Sequence, residues 1–141
     1  MTAFFDTSAV IALSDPQEPN HAWSMSEFTA RQAEGPIVIS DVIYAEVSVG
    51  MNAREDVDAI IQQFGLERAE RDDGALFDAA KRFHKYKKKD GGPKLNVLPD
   101  FFIGAAARSL DIPLVTANPK DFRHFFSGLR IVHPNGEEVV P

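Results

Sequence analysis

The chain has 141 residues, 44% hydrophobic and 26% charged, a length and balance that suit one globular domain able to bury a sizeable core. It contains no cysteine, which excludes disulfides and thiolate metal sites and leaves oxygen or imidazole as metal donors. A formal charge of −6 argues against general adhesion to polyanions, so a nucleic-acid partner would have to meet a local basic patch.

Ala3-Phe4-Phe5 reads as a short buried strand, and Asp6-Thr7-Ser8 can cap the apolar helix that begins at Ala9. The N-terminus has no basic leader, Asp6 interrupts its first apolar patch, and no apolar run approaches the ~18–20 residues that span a bilayer. The protein is therefore expected to be soluble and cytoplasmic. After a break at Asp15-Pro16, an amphipathic helix is expected from Asn20 to Ala33, with Ala22, Met25, Phe28 and Thr29 as its packing side. Ile37-Val38-Ile39 is a second short strand, and Ser40 is a good N-cap for a helix from Asp41 to about Asn52. On that helix Glu46 is surrounded at helical spacing by Val42, Ile43, Val49 and Gly50.

Val57, Ile60, Ile61 and Phe64 predict a helix over 54–64 that Gly65 ends. Asp72 or Asp73 can cap the next helix, whose apolar side is Leu76, Ala79, Ala80 and Phe83. Its end is strongly basic: Lys81, Arg82, Lys85, Lys87, Lys88, Lys89 and Lys94 are seven of the chain's 15 basic residues. Asp90-Gly91-Gly92-Pro93 forms a break. Leu98-Pro99-Asp100 then opens a helix that is apolar from Phe101 to Ala107, with Asp100 at its rim where the helix dipole favours an anion. Leu114-Val115-Thr116 is a strand, Ala117 to Asp121 a loop leading to a helical turn at 122–126, and 129–132 a last strand. The tail 133–141 reads as a loose end.

Short strands alternating with helices predict an α/β fold with a mostly parallel sheet covered on both faces. Ligands of such sheets bind outside the carboxyl ends of the strands. Asp6, Glu46, Asp100 and Asp121 all fall at that edge if the connections are short. Each acid alone has a structural explanation: Asp6 as a cap, Asp100 as a first-turn acid, Asp121 as a solvated loop residue. Glu46 resists one, because its helix offers no Lys or Arg nearer than Arg54. Together they repel one another and call for a cation. Mg²⁺ or Mn²⁺ suits carboxylate oxygens and often completes its shell with phosphate, which points to phosphodiester chemistry. The basic segment would supply contacts to a phosphate backbone, with Tyr86 and His84 as stacking groups for single-stranded bases, although cations also favour helix ends.

Other uses of these residues fail on residue type. An aspartyl-nucleophile phosphatase wants a second Asp where Ser8 stands, and a phospho-receiver wants an adjacent acidic pair before the end of its first strand. The four histidines have no zinc-ligand spacing, and no glycine-rich phosphate loop occurs.

Four segments in order carry a family resemblance: Phe4-Phe5-Asp6-Thr7-Ser8-Ala9; Ser40-Asp41-Val42-Ile43-Tyr44-Ala45-Glu46-Val47 with Gly50; Leu98-Pro99-Asp100-Phe101-Phe102-Ile103-Gly104-Ala105; and Leu114-Val115-Thr116-Ala117-Asn118 with Asp121-Phe122. The set resembles PIN-domain ribonucleases, most closely the VapC-like toxins of bacterial and archaeal toxin–antitoxin pairs. The resemblance implies a three-layer α/β/α PIN-like fold with four to five short strands over residues 1–132, followed by a tail. It implies Asp6, Glu46 and Asp100 as core ligands of Mg²⁺ or Mn²⁺, with either Asn118 or Asp121 in the fourth position. Thr7, Ser8 and Thr116 would support the site, and Lys85, Lys87, Lys88 and Lys89 would approach RNA. A cognate antitoxin and a homodimer are the implied partners. A PIN nuclease outside toxin biology, working on ribosomal RNA or DNA, and a non-catalytic binding module stay open beside this reading.

Overall fold

A computed structural model describes residues 2–90 and 98–141, with backbone alone for 88–90. Gly91-Gly92-Pro93, Lys94 and the Lys88 and Lys89 side chains expected to approach RNA lie outside the described residues. In chain order the elements are β1 (Ala3–Phe5), α1 (Thr7–Ser14), α2 (His21–Gln32), β2 (Ile37–Ile39), α3 (Asp41–Ser48), α4 (Arg54–Phe64), β3 (Glu67–Arg68), α5 (Asp73–Asp90), α6 (Leu98–Leu110), β4 (Leu114–Val115), a 3-10 turn (Pro119–Asp121), β5 (Arg130–His133) and β6 (Gly136–Val139).

The strands form one sheet in the order β3-β2-β1-β4-β5-β6, parallel except for the antiparallel β5–β6 pair. A parallel strand buried on both faces needs a continuous apolar run, and Ala3-Phe4-Phe5 and Ile37-Val38-Ile39 supply it. The chain fills the sheet outward from β1 to β3, then returns to the other side of β1 for β4 and β5. Strand order thus reverses between β1 and β4, where the connections diverge and leave a crevice at the carboxyl edge. Among the described residues no helix is long and apolar enough to cross a membrane.

Local chemistry sets the helix ends. Ser40 Oγ accepts from the Ile43 backbone N–H at 3.4 Å, and Asp72, rather than Asp73, caps α5 by accepting from Ala75 N–H at 3.1 Å. Gly65 ends α4 in the left-handed conformation, φ 59°, that a glycine takes without steric cost. At Gly104 in α6 the constraint is space: a Cβ there would lie 2.4 Å from the edge of the Phe126 ring, so the helix makes this approach as glycine.

Several expectations are corrected. The packing side of α2 is Ser24 and Phe28, with Ala22 and Thr29 exposed. A polar core residue is tolerated because Ser24 Oγ donates to Ala9 O at 2.7 Å. Helix α3 stops at Ser48 rather than near Asn52, so Val49 leaves its face and is 88% exposed. Leu76 and Ala80 are exposed on α5, whose inner side is carried by Ala79 and Phe83. The helical turn expected at 122–126 lies earlier, at 119–121. The sheet has six strands, because Glu67–Arg68 and Gly136–Val139 pair through their backbones without an apolar signature. The segment read as a loose end therefore carries β6, with Val140 buried behind it.

Candidate active site

Asp6 follows β1 directly. Its backbone continues the sheet, donating N–H to Val115 O at 2.9 Å, and its extended φ,ψ places it at the N-cap position of α1. Its side chain makes no cap hydrogen bond, which removes the simple helix-cap explanation. Instead Asp6 Oδ2 accepts from Thr116 Oγ1 at 2.7 Å and from Ser8 Oγ at 3.0 Å. Each hydroxyl is oriented in turn by a backbone donor: Asn118 N–H to Thr116 Oγ1 and Ala117 N–H to Ser8 Oγ, both at 3.0 Å. A hydroxyl has one proton to give, and both protons are directed at Asp6, so the 3.3 Å Ser8–Thr116 approach is a by-product of the shared acceptor.

Only 6% of Asp6 is exposed. Burial pushes its carboxyl above the usual range, the Thr116, Thr7 N–H and Ser8 hydrogen bonds pull the other way, and the nearby Glu46 charge adds to the rise. Glu46 on α3 is half-buried and accepts from Thr7 Oγ1 at 2.6 Å. Thr7 and Ser8, adjacent on the first turn of α1, thus support two different acids. Among the described residues neither Asp6 nor Glu46 has a Lys, Arg or His within ion-pair reach.

Asp100 lies in the first turn of α6. A three-residue link carries the far end of α6 to the amino end of β4, so the helix begins at the carboxyl edge of the sheet, near α3. Phe101 fixes that beginning through an aromatic cluster: its ring centroid lies 5.4 Å from Phe83, 5.5 Å from Tyr86, 5.2 Å from Phe125 and 5.8 Å from Phe126. Asp121 ends the 3-10 turn beyond β4 and is half-buried. Burial raises its carboxyl while Lys120 lowers it. Asn118 is exposed, and its contribution to the hydroxyl network is its backbone N–H.

The donors present are hard oxygens around two adjacent acids with no neighbouring cation, and that chemistry fits a hard divalent ion. Among the described residues, however, no three acidic or imidazole groups stand close enough together to enclose a metal. The structure brings together Asp6, Thr7, Ser8, Glu46 and Thr116, and places Asp100 and Asp121 on elements that reach the same edge. Lys85 and Lys87 are both exposed on α5. Tyr86 is half-buried and packs edge-on to Phe125 at 5.0 Å, so it serves as part of the α6 mount. Sequence reasoning missed this cluster, whose contacts join residues far apart in the chain; the Phe125-Phe126 pair was its one local signal.

A parallel sheet with acids and hydroxyls gathered where strand order reverses defines an α/β domain with an acidic switch-point site. The chain belongs to the PIN-domain family, whose model matches residues 3–125. Among solved structures it is similar to VapBC from Salmonella typhimurium, solved bound to DNA, with a TM-score of 0.65 and 21% identity over 93% of this chain and 96% of that one. It is similar to VapC20 from Mycobacterium tuberculosis, a Sarcin-Ricin loop cleaving toxin, with a TM-score of 0.60 and 16% identity over 82% and 87%. A toxin–antitoxin complex from Klebsiella pneumoniae matches with a TM-score of 0.56 and 25% identity over 87% and 92%. No curated protein matches the sequence.

Proposed function

We propose that the protein is the toxin of a toxin–antitoxin pair and a metal-dependent endoribonuclease acting in the cytoplasm. The observation that carries the reading is Asp6, a carboxylate buried at the strand-order reversal, held by two oriented hydroxyls and set beside Glu46 without a cation. Family membership and the toxin–antitoxin neighbours support the biological role. They also support a protein antitoxin as partner, and a second copy of the chain is part of the same proposal.

Mg²⁺ or Mn²⁺ would be held by Asp6, Glu46 and Asp100, with Asp121 completing the set, and would supply water activation and charge opposite a phosphodiester. Thr116 and Ser8 fix the direction of the Asp6 carboxylate by occupying Oδ2. Thr7 does the same for Glu46 through Oε1. These hydroxyls hold both acids in place before substrate arrives, so little reorganisation accompanies the reaction. Lys85 and Lys87 would meet the RNA backbone.

The test is cleavage of total RNA by the purified chain with Mn²⁺, with Mg²⁺ and with EDTA, alongside the Asp6→Asn variant. Cuts at defined positions that need metal and vanish in the variant are expected. Cleavage that survives EDTA or the substitution sinks the assignment. A non-catalytic binding module is the reading favoured by the open spacing of the carboxylates. Calorimetry separates the two: a chain that binds no divalent ion yet retains RNA or antitoxin belongs to the second.

A further inference from the structure

The basic run of α5 is divided by the structure. Lys81, Arg82 and Lys85 line a cleft of about 650 Å³ whose opposite wall is His124 and Phe125, with Tyr86 and Asp78 completing it. Lys87 is not part of this lining, and its ammonium lies 5.6 Å from the Phe83 ring centroid. Arg82 is a strut of the cleft: it pairs with Asp78 at 2.9 Å and donates to Phe125 O at 2.8 Å. That pairing neutralises Asp78. Lys81 and Lys85 are exposed, and among the described residues no carboxylate comes within ion-pair reach of either. A chain of formal charge −6 thus carries a cationic cleft with half-buried aromatic rings in its wall.

Two further features tie this cleft to the acidic edge. Tyr86 and Phe125 of its lining pack directly on Phe101, the residue after Asp100. His124 stands three residues beyond Asp121 with φ 79°, a left-handed backbone uncommon for a side-chain-bearing residue. His124 is exposed and lines the second wall of the cleft.

We propose that this cleft holds the single-stranded RNA flanking the cleaved phosphodiester, with Lys81 and Lys85 on successive phosphates and His124 with the Tyr86–Phe125 wall against a base. The proposal rests on the ribonuclease reading for its substrate and extends it to a second contact region on the same strand. Paired cations match a phosphate backbone, and flat apolar rings match a base, whereas an acidic peptide would use the cations alone.

The test reads binding without cleavage. Fluorescence anisotropy of a labelled 20-nucleotide mixed-sequence RNA is followed in EDTA, as a function of salt, with the full chain. For Lys81→Ala with Lys85→Ala we expect affinity to fall about tenfold near 0.1 M salt, and the slope of log K against log salt to shrink by about 1.4, the loss of two single-strand phosphate contacts. Arg130→Ala removes one charge from the amino end of β5, at the opposite sheet edge, and should leave both unchanged. His124→Gly removes the ring while accepting the left-handed backbone, so affinity should drop with no fall in the unfolding midpoint. Wild-type affinity and slope in the double lysine variant would overturn the proposal, as would an equal loss in Arg130→Ala. So would a labelled oligoglutamate that needs both lysines while RNA does not. Because no metal is present, a chain that cleaves nothing can still bind as expected, and one that cleaves RNA can still fail here.

Discussion

Asp6 and Asp121 approach the same sheet edge on different supports. Asp6 is built into the sheet: its N–H is a rung of the β1–β4 ladder and its carboxylate is gripped by hydroxyls that are themselves held by backbone N–H groups. Asp121 sits on a three-residue turn whose neighbour Arg123 is tied to Glu138 of β6 by partly exposed ion pairing. Burial raises both carboxyls, and at Asp6 the charge of Glu46 adds to the rise. The difference separates a fixed charge from an adjustable one. A site that must meet a cation and a phosphate needs one rigid reference, and β1 provides it.

The largest expected effect tests that contrast directly. Asp6→Asn keeps size and removes charge, and metal-dependent RNA cleavage should fall on the order of a thousandfold, the rate equivalent of several kcal/mol of lost charge stabilisation. Asp121→Asn in the same assay should cost about tenfold or less. Equal losses would mean that the two acids are equivalent and that the rigid and adjustable roles are misassigned.

Next comes the grip itself. Thr116→Val is close in shape, yet it removes the donor to Asp6 Oδ2 and the acceptor of Asn118 N–H at once. Activity is expected to fall about 10–100-fold, as for other residues that orient a ligand. Stability should fall by about 1–3 kcal/mol if the N–H is left unsatisfied. Denaturant unfolding beside the cleavage assay checks both, and activity that tracks stability alone would reduce Thr116 to a structural residue.

The fixed part of this edge was also the part legible in the sequence. Apolar triplets and caps are local signals, so β1, β2, Ser40, Gly65 and the whole span of α4 stood out and Asp6 fell at a strand end, whereas Thr7, Ser8 and Thr116 entered as support for the site only through the family resemblance. What escaped depends on partners distant in the chain. Strands β3 and β6 are edge strands made of Glu, Arg, Gly and Val, joined by backbone bonds that leave no pattern in side chains. The Phe83–Tyr86–Phe101–Phe125 cluster and the cleft beside it arise only when α5, α6 and the segment after Asp121 meet. The surroundings of Glu46 were misjudged for a related reason: helix α3 ends before Val49, and the partner that holds the acid is Thr7 on another helix.

Packing behind the adjustable side gives the third test. Gly104→Ala would press a methyl into Phe126, whose ring also touches Phe101, so α6 must move relative to the segment that follows Asp121. Overpacking of this kind costs about 1–3 kcal/mol. Thermal unfolding measures it, and an unchanged midpoint would show that the ring yields freely and that this side is looser than the packing implies.

The smallest effect concerns the tie that holds the Asp121 segment. Arg123 donates through Nε to Glu138 Oε1 at 2.7 Å and its Nη2 lies 2.6 Å from the same oxygen, while His133 Nε2 lies 3.3 Å from it. The hydrogen bond from Arg123, and then the charges of Arg123, His133 and His124, hold the Glu138 carboxyl below its ordinary value. A carboxyl lowered by folding stabilises the native state above its unfolded pKa and loses that contribution as pH falls through the folded one. Glu138→Gln should therefore lower the unfolding midpoint slightly near pH 7 at low salt, and the gap from wild type should close as pH drops below the ordinary glutamate range, about 4.3. High salt should close it as well, since the pair is partly exposed. Loss of the gap in acid and in salt, with the Thr116→Val defect persisting in salt at neutral pH, would mark one support as surface electrostatics and the other as buried hydrogen bonding. A salt-insensitive gap at Glu138 would instead make β6 a rigid part of the edge, and Asp121 as fixed as Asp6.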